Sequence, residues 1–343
     1  MKNKLLVSTA LGAVMLSGAV NAETKITGQA DINFSAQSSS TAASSTDGWG
    51  RETQLNISNS GDLSNGMKYA AGFSLEFDGT SGNDTTGISD ENLYIDFIVG
   101  NTTFGVSQDH GLNTDSSAVP RVSINAGSLS TMGATTTYAQ GSAIGNGSQH
   151  VKEGMGVTLA QKFDGMGSLQ FRFVPELGQD GGDNDNIKHG NEGSAYDINF
   201  QGNAGVEGLT LNLAYAKAEK ALGSTHTPSR DSKGVQYGVG YNFGQFAVGA
   251  QVSDRELGNS TTVDRKTTEF GATFAATESL SLGIAVASTD ITGQAKDEDI
   301  VQGTIGYNLG AVAVHLNYAD YQNLGGTSGT DHEVTSIRLS TKF

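Results

Sequence analysis

The residues able to do bond chemistry are scattered along this chain. Its histidines fall at His110, His150, His189, His226, His315 and His332. Five lie in stretches read as loops and His315 lies on a polar strand face, a dispersal that supports no metal site. The sequence holds no Gly-Lys-Ser/Thr phosphate loop, no HExxH metal pair and no Gly-x-Ser-x-Gly nucleophile elbow. Hard oxygen ligands gather at Gly178-Gln-Asp-Gly-Gly-Asp-Asn-Asp-Asn186 and at Lys296-Asp-Glu-Asp299. The first could hold calcium in an external loop, yet it lacks the EF-hand spacing, so solvated acidic loops are expected for both. Neither an enzyme nor a resident cofactor is expected.

What the charged residues can do instead is shape an electric field. Lys68, Glu76, Asp96, Lys162, Asp197, Glu269 and Arg338 each occupy the polar side of a two-residue alternation. Arg172 does the same between Phe171 and Phe173. Fixed charge lining an aqueous passage attracts ions of opposite sign and repels like ions. The plainer role for each is a solvated group that only adjusts the local field. Arg51 shares parity with apolar Leu55 and Ile57, so it faces inward only from a loop or across a bulge, whereas Gln54 has the inward phase.

Such charges need elements to hold them, and the alternation supplies these from one end of the chain to the other. Ile26, Gly28, Ala30, Ile32 and Phe34 oppose Lys25, Thr27, Gln29, Asp31 and Asn33, the period-two mark of a strand. The same pattern recurs at 54–58, 68–77, 93–99, 104–106, 157–159, 169–173 and 196–201. It continues through 209–215, 235–241, 246–252, 270–274, 280–286, 301–307, 312–318 and 337–343. Connections alternate between short, such as Gly100-Asn101, and long, such as 177–192. Tight turns at one end and long loops at the other are expected of a transmembrane antiparallel β-barrel. Parity then puts 109–152, with Thr135–Tyr138 inside it, in one long connection. The consistent strand count is sixteen, with fourteen or eighteen as alternatives, and a barrel that wide leaves a channel.

Composition agrees. Glycine supplies 47 of 343 residues against 3 prolines, which suits pleated strands and tight turns. There is no cysteine, so no disulfide is needed. The net charge of −16 makes nucleic acid a poor partner. Residues 1–22 combine a cationic start, a short apolar run and Ala-Val-Asn-Ala22, and they read as a signal peptide cleaved before Glu23. Residues 23–343 are then the barrel. No other run is apolar enough for a membrane helix.

The stretch Glu23-Thr-Lys-Ile-Thr-Gly-Gln-Ala-Asp31, the stretch from Leu93 to Gln108 and the terminal Phe343 resemble the general porins of Gram-negative bacteria, of the alphaproteobacterial type. The resemblance implies a homotrimer in the outer membrane, surrounded by its lipid, with the third external loop folded into each channel. It also implies recognition of the terminal aromatic by the barrel-assembly machinery. In that family acids on the inserted loop face basic groups on the wall across a constriction. The matching candidates are Asp109 and Asp115, with Arg121 also in the loop and Arg172 on the wall. The implied activity is passive diffusion of ions and small hydrophilic solutes, with weak cation preference from the acidic balance. A substrate-selective channel is the alternative, followed by a sealed structural barrel.

Overall fold

A computed structural model of the chain describes residues 19–40, 47–80, 88–108, 118–120, 155–175, 194–219, 231–256 and 264–343. Among the described residues are sixteen strands. They are β1 Ala19–Ser39, β2 Asp47–Leu63, β3 Lys68–Thr80, β4 Ile88–Val99, β5 Thr102–Gln108, β6 Gly156–Phe163, β7 Gly167–Val174 and β8 Ser194–Gly202, followed by β9 Leu209–Glu219, β10 Ser232–Phe243, β11 Phe246–Glu256, β12 Arg265–Ala275, β13 Leu280–Ile291, β14 Glu298–Asn308, β15 Val312–Gln322 and β16 His332–Lys342. Each pairs with its neighbours in sequence and β16 returns to β1, so the sheet closes on itself. Closure satisfies both rows of edge N–H and C=O groups, which hydrocarbon could not do. All sixteen alternating segments of the sequence have their strand. Thr135–Tyr138 lies outside the described residues, as do residues 1–18 of the expected leader. β1 begins four residues ahead of Glu23, with Ala22 paired to Gly61.

Some strands run longer than alternation alone predicts. The second was expected over 54–58 and spans Asp47–Leu63. Its ends, such as Asn59-Ser60 and Asp62, are polar on both faces and give no period-two signal, but the ladders to β1 and β3 hold them. Asn59 also donates to Thr24 Oγ1 at 2.8 Å and accepts from the Tyr69 hydroxyl.

The two faces of the sheet differ as a membrane requires. Phe171, Phe173, Ile198, Leu213, Ile284 and Leu316 project outward and are exposed. In water so large an apolar surface would drive aggregation, and lipid is the solvent that suits it. Aromatic rings mark both borders. At the short-turn end Tyr241, Phe243, Phe246 and Phe274 form a row with centroids 6.2, 5.8 and 4.6 Å apart. At the opposite end Phe34 lies 5.2 Å from Trp49 and Tyr196 lies 6.1 Å from Tyr215. Such girdles sit at lipid headgroup level.

Turns and seam fix the register. Gly244 and Gly310 adopt φ of 69° and 91°, a region in which a Cβ is strained, and so permit the tightest reversals. At the seam, Gly28 N donates to Phe343 O at 2.7 Å and Phe343 N donates to Gly28 O at 2.9 Å. A Cβ on Gly28 would collide with the Phe343 ring, so that ring lies over the glycine on the outer face.

Candidate functional site

The inward face is mostly polar, interrupted by two buried apolar clusters, Val174, Ala195, Ala214, Ala216 and Ala218 on β7 to β9 and Ile300, Ala319, Tyr321 and Val334 on β14 to β16. On β1 it carries Asp31, Asn33, Ser35 and Gln37, and across β7 to β12 it carries Gln170, Asn199, Asn212, Gln236, Gln251 and Glu269. Antiparallel partners share a face, so the registers place each expected lumen charge. Lys68 pairs with Ile98 and shares the phase of Asp96 and Glu76, so Ile98 is an apolar residue on the inward side of its strand. Lys162 pairs with Ser168. Asp197 pairs with Arg172, Glu269 with Gln251, and Arg338 with both Asn33 and His315. All seven therefore have the inward phase. Arg51 pairs with Ile32 with no register shift beside it, so it faces outward, and Gln54 takes the inward place beside Gln29.

Arg172 is inward yet 0 % exposed. Its Nη1 donates to Ser107 Oγ and its Nη2 to the Ser107 carbonyl, both at 2.6 Å. Gly156, beside it, leaves the space, since a Cβ there would sit 3.0 Å from Arg172 Nε. The guanidinium thus braces the wall one residue before β5 ends. Arg338 is held differently, in an ion pair with Asp31 Oδ2 whose side chains are 8 % and 2 % exposed. The loop candidates Asp109, Asp115 and Arg121 lie outside the described residues.

One part of the long connection is described, and it lies inside the barrel. Ala118 and Val119 are 5 % and 3 % exposed, and Ala118 N donates to Gln251 Oε1 at 3.1 Å. The inward positions beneath them are Gly238, Gly240, Gly249 and Gly271. Residues 118–120 of the connection therefore lie in the lumen against β10 to β12, five strands and more round the barrel from β5.

Several lining residues escaped the sequence. Arg255 and Arg265 are direct partners across β11 and β12 and share the phase of Ser253 and Thr267. The alternating stretches 246–252 and 270–274 stop short of both arginines. Extending the alternation by two steps would have found them. Glu298 was expected in a solvated acidic loop, and that reading is corrected: it opens β14, is 1 % exposed and accepts from Gly325 N at 2.8 Å. The 323–331 connection thus leans over the mouth, with Leu324 against the buried cluster of Ile300, Ala319, Tyr321 and Val334. Its apolar contacts hold Glu298 in place although charge patterning alone suggested exposure. His332, also read as a loop residue, opens β16 with Nε2 3.2 Å from Ser39 Oγ.

This arrangement can admit water and dissolved ions along a polar tube narrowed by an inserted segment. The chain is similar to solved porins across nearly all of its length. It shares 14 % identity with an anion-selective porin from Comamonas acidovorans, at a TM-score of 0.65 over 94 % of this chain and 100 % of that one. It shares 11 % with Salmonella typhi OmpF, at 0.67 over 93 % and 97 %. OmpT of Vibrio cholerae, in a trimer form, shares 12 % at 0.63 over 94 % and 99 %. At such identities the likeness concerns the fold. No curated sequence matches. The family model described as Gram-negative porin matches residues 8–326. With the closed sixteen-stranded barrel, its apolar outside and polar inside, that match establishes that the chain belongs to the Gram-negative porins, channels of the outer membrane.

Proposed function

We propose that the protein is a general diffusion porin for ions and small hydrophilic solutes, with weak cation preference. The observation that carries this reading is a polar lumen in which no single chemistry dominates: carboxylates, guanidiniums and neutral amides are spread round the wall. A selective channel would gather one kind of group into a track. The cation preference rests on the acidic chain, at −16 overall, and on Asp109 and Asp115 acting as constriction acids against Arg121 and the wall. Arg172 would contribute its charge from within the wall. In this reading the leader 1–22 is removed, the terminal Phe343 is read by the assembly machinery, and the barrels associate as trimers among outer-membrane lipids.

A second reading, weak anion preference, is favoured by the lumenal Arg255–Arg265 pair. Purified protein in planar bilayers under a KCl gradient decides between them. Stepwise conductance with a reversal potential of the cation sign supports the main reading, and the opposite sign supports the second. Saturable block by one solute would replace general diffusion with a selective channel. No conductance would overturn both. Neutralising Asp109, Asp115 and Arg172 separately tests the constriction, whose assignment fails if all three variants keep the wild-type reversal potential.

A further inference from the structure

We propose that a glycine-paved patch on β10, β11 and β12 is the seat that fixes the inserted connection in the lumen, with Gln251 as its positioning residue. The proposal rests on the channel reading and adds which wall groups set the aperture.

The patch is contiguous. Gly240, Gly249 and Gly271 are direct register partners across three strands, and Gly238 lies in the next row opposite Gln251. Glycine weakens a strand interior, and three abreast leave a bare strip of backbone beside Gln236, Gln251 and Glu269 on the same three strands. Such a strip has a use where another chain approaches closely. Here the approaching chain is Ala118-Val119-Pro120. A Cβ on any of the four glycines would come within 3.0 Å of Ala118 or Val119, and one on Gly249 would also lie 2.9 Å from Pro120 Cδ.

Three features make the contact specific. Ala118 presents only a methyl to Gly238, so backbone can lie against backbone. Gln251 reaches from the same patch to accept the Ala118 N–H, a donor that burial would otherwise leave unsatisfied. Pro120 has no N–H to satisfy and a fixed φ, which stiffens the segment where it leaves the patch. If the glycines served only to widen the pore, the space above them would be open to the lumen, whereas Ala118 and Val119 fill it and are themselves buried.

The chain has no cysteine, so a disulfide can report the contact without background. A Cβ built on Gly238 lies 2.8 Å from that of Ala118, within a small relaxation of the roughly 3.5–4.5 Å a disulfide needs. The folded double variant Ala118→Cys/Gly238→Cys is expected to lose both thiols to labelling on mild oxidation and to keep its conductance step. Ala118→Cys with Gly306→Cys, on the distant β14, is expected to keep both thiols. Free thiols in the first pair overturn the seat. Gly249→Leu fills it and is expected to change the single-channel step in a barrel that still folds; an unchanged step overturns the proposal. Gln251→Ala is expected to make the open level noisier, and Gln251→Glu, which keeps an acceptor for Ala118 N–H, to restore quiet openings. Equal noise in these two variants removes Gln251 from the role. A wild-type protein with no conductance would sink the channel reading, and the cross-link would still judge the contact.

Discussion

At the scale of single residues, lumen charges differ in how firmly the wall holds them, and this determines what each can do to a passing ion. Arg338 and Asp31 cancel one another inside the lining, nearly shielded from solvent. Asp31→Asn removes the carboxylate from this buried ion pair. Breaking a buried pair in this way costs about 3 kcal/mol, because the remaining charge keeps its desolvation penalty. Urea unfolding in lipid vesicles should register that loss. The double variant Asp31→Asn/Arg338→Gln should recover most of it, since neither side then bears a charge. Losing the carboxylate should also move the reversal potential toward anions. Arg172 offers a contrast, since its guanidinium is fully buried on Ser107 beside Asp197. Arg172→Gln is therefore expected to shift selectivity less than Asp31→Asn and to destabilise the end of β5, which bilayer recordings and unfolding curves measure together.

At the scale of elements, every strand must satisfy two solvents at once. Ile284, in the middle of β13, faces lipid between Gly303 and Ala272, whereas Thr304 on β14 faces water and donates to Asn317 Oδ1 at 2.9 Å. Ile284→Arg is expected to cost about 2–4 kcal/mol in vesicles, the penalty for a guanidinium near the bilayer centre. Thr304→Lys should cost less than about 1 kcal/mol and alter only ion selectivity; equal losses in the two variants would mean the faces are misassigned. That distinction was legible in the sequence, because a one-residue phase error would swap every side chain and the alternation forbids it. The phases of Lys68, Asp96, Asp197 and Arg338 were readable for the same reason. The limits of the strands were not, because beyond the bilayer both faces meet water and alternation ceases to be required. Arg255, Arg265 and Glu298 all fall in that zone. The seat of Ala118 was hidden for a different reason. It joins residues more than a hundred positions apart, and glycines that receive a distant segment look like glycines that make room for a turn.

At the scale of the whole molecule, the open question is whether selectivity arises from the wall at large or from the narrowed section, and ionic strength separates the two. Sixteen strands spaced about 4.8 Å apart and tilted about 40° give a backbone radius of roughly 16 Å. The Debye length is about 10 Å at 0.1 M salt, so there the field of wall charges reaches across most of such a lumen. At 1 M it contracts to about 3 Å, and only ions brushing the wall still feel it. If distributed charge governs the passage, the reversal potential at a fixed KCl ratio should fall severalfold as both sides are raised from about 0.1 M to about 1 M. If charges beside the inserted segment govern it, ions must pass within a few ångströms of fixed groups at any salt concentration, and the reversal potential should persist. The acidic excess of the chain is spread over loops and strands alike, which favours the first outcome. A reversal potential independent of salt would move the source of selectivity to the residues that border Ala118–Pro120.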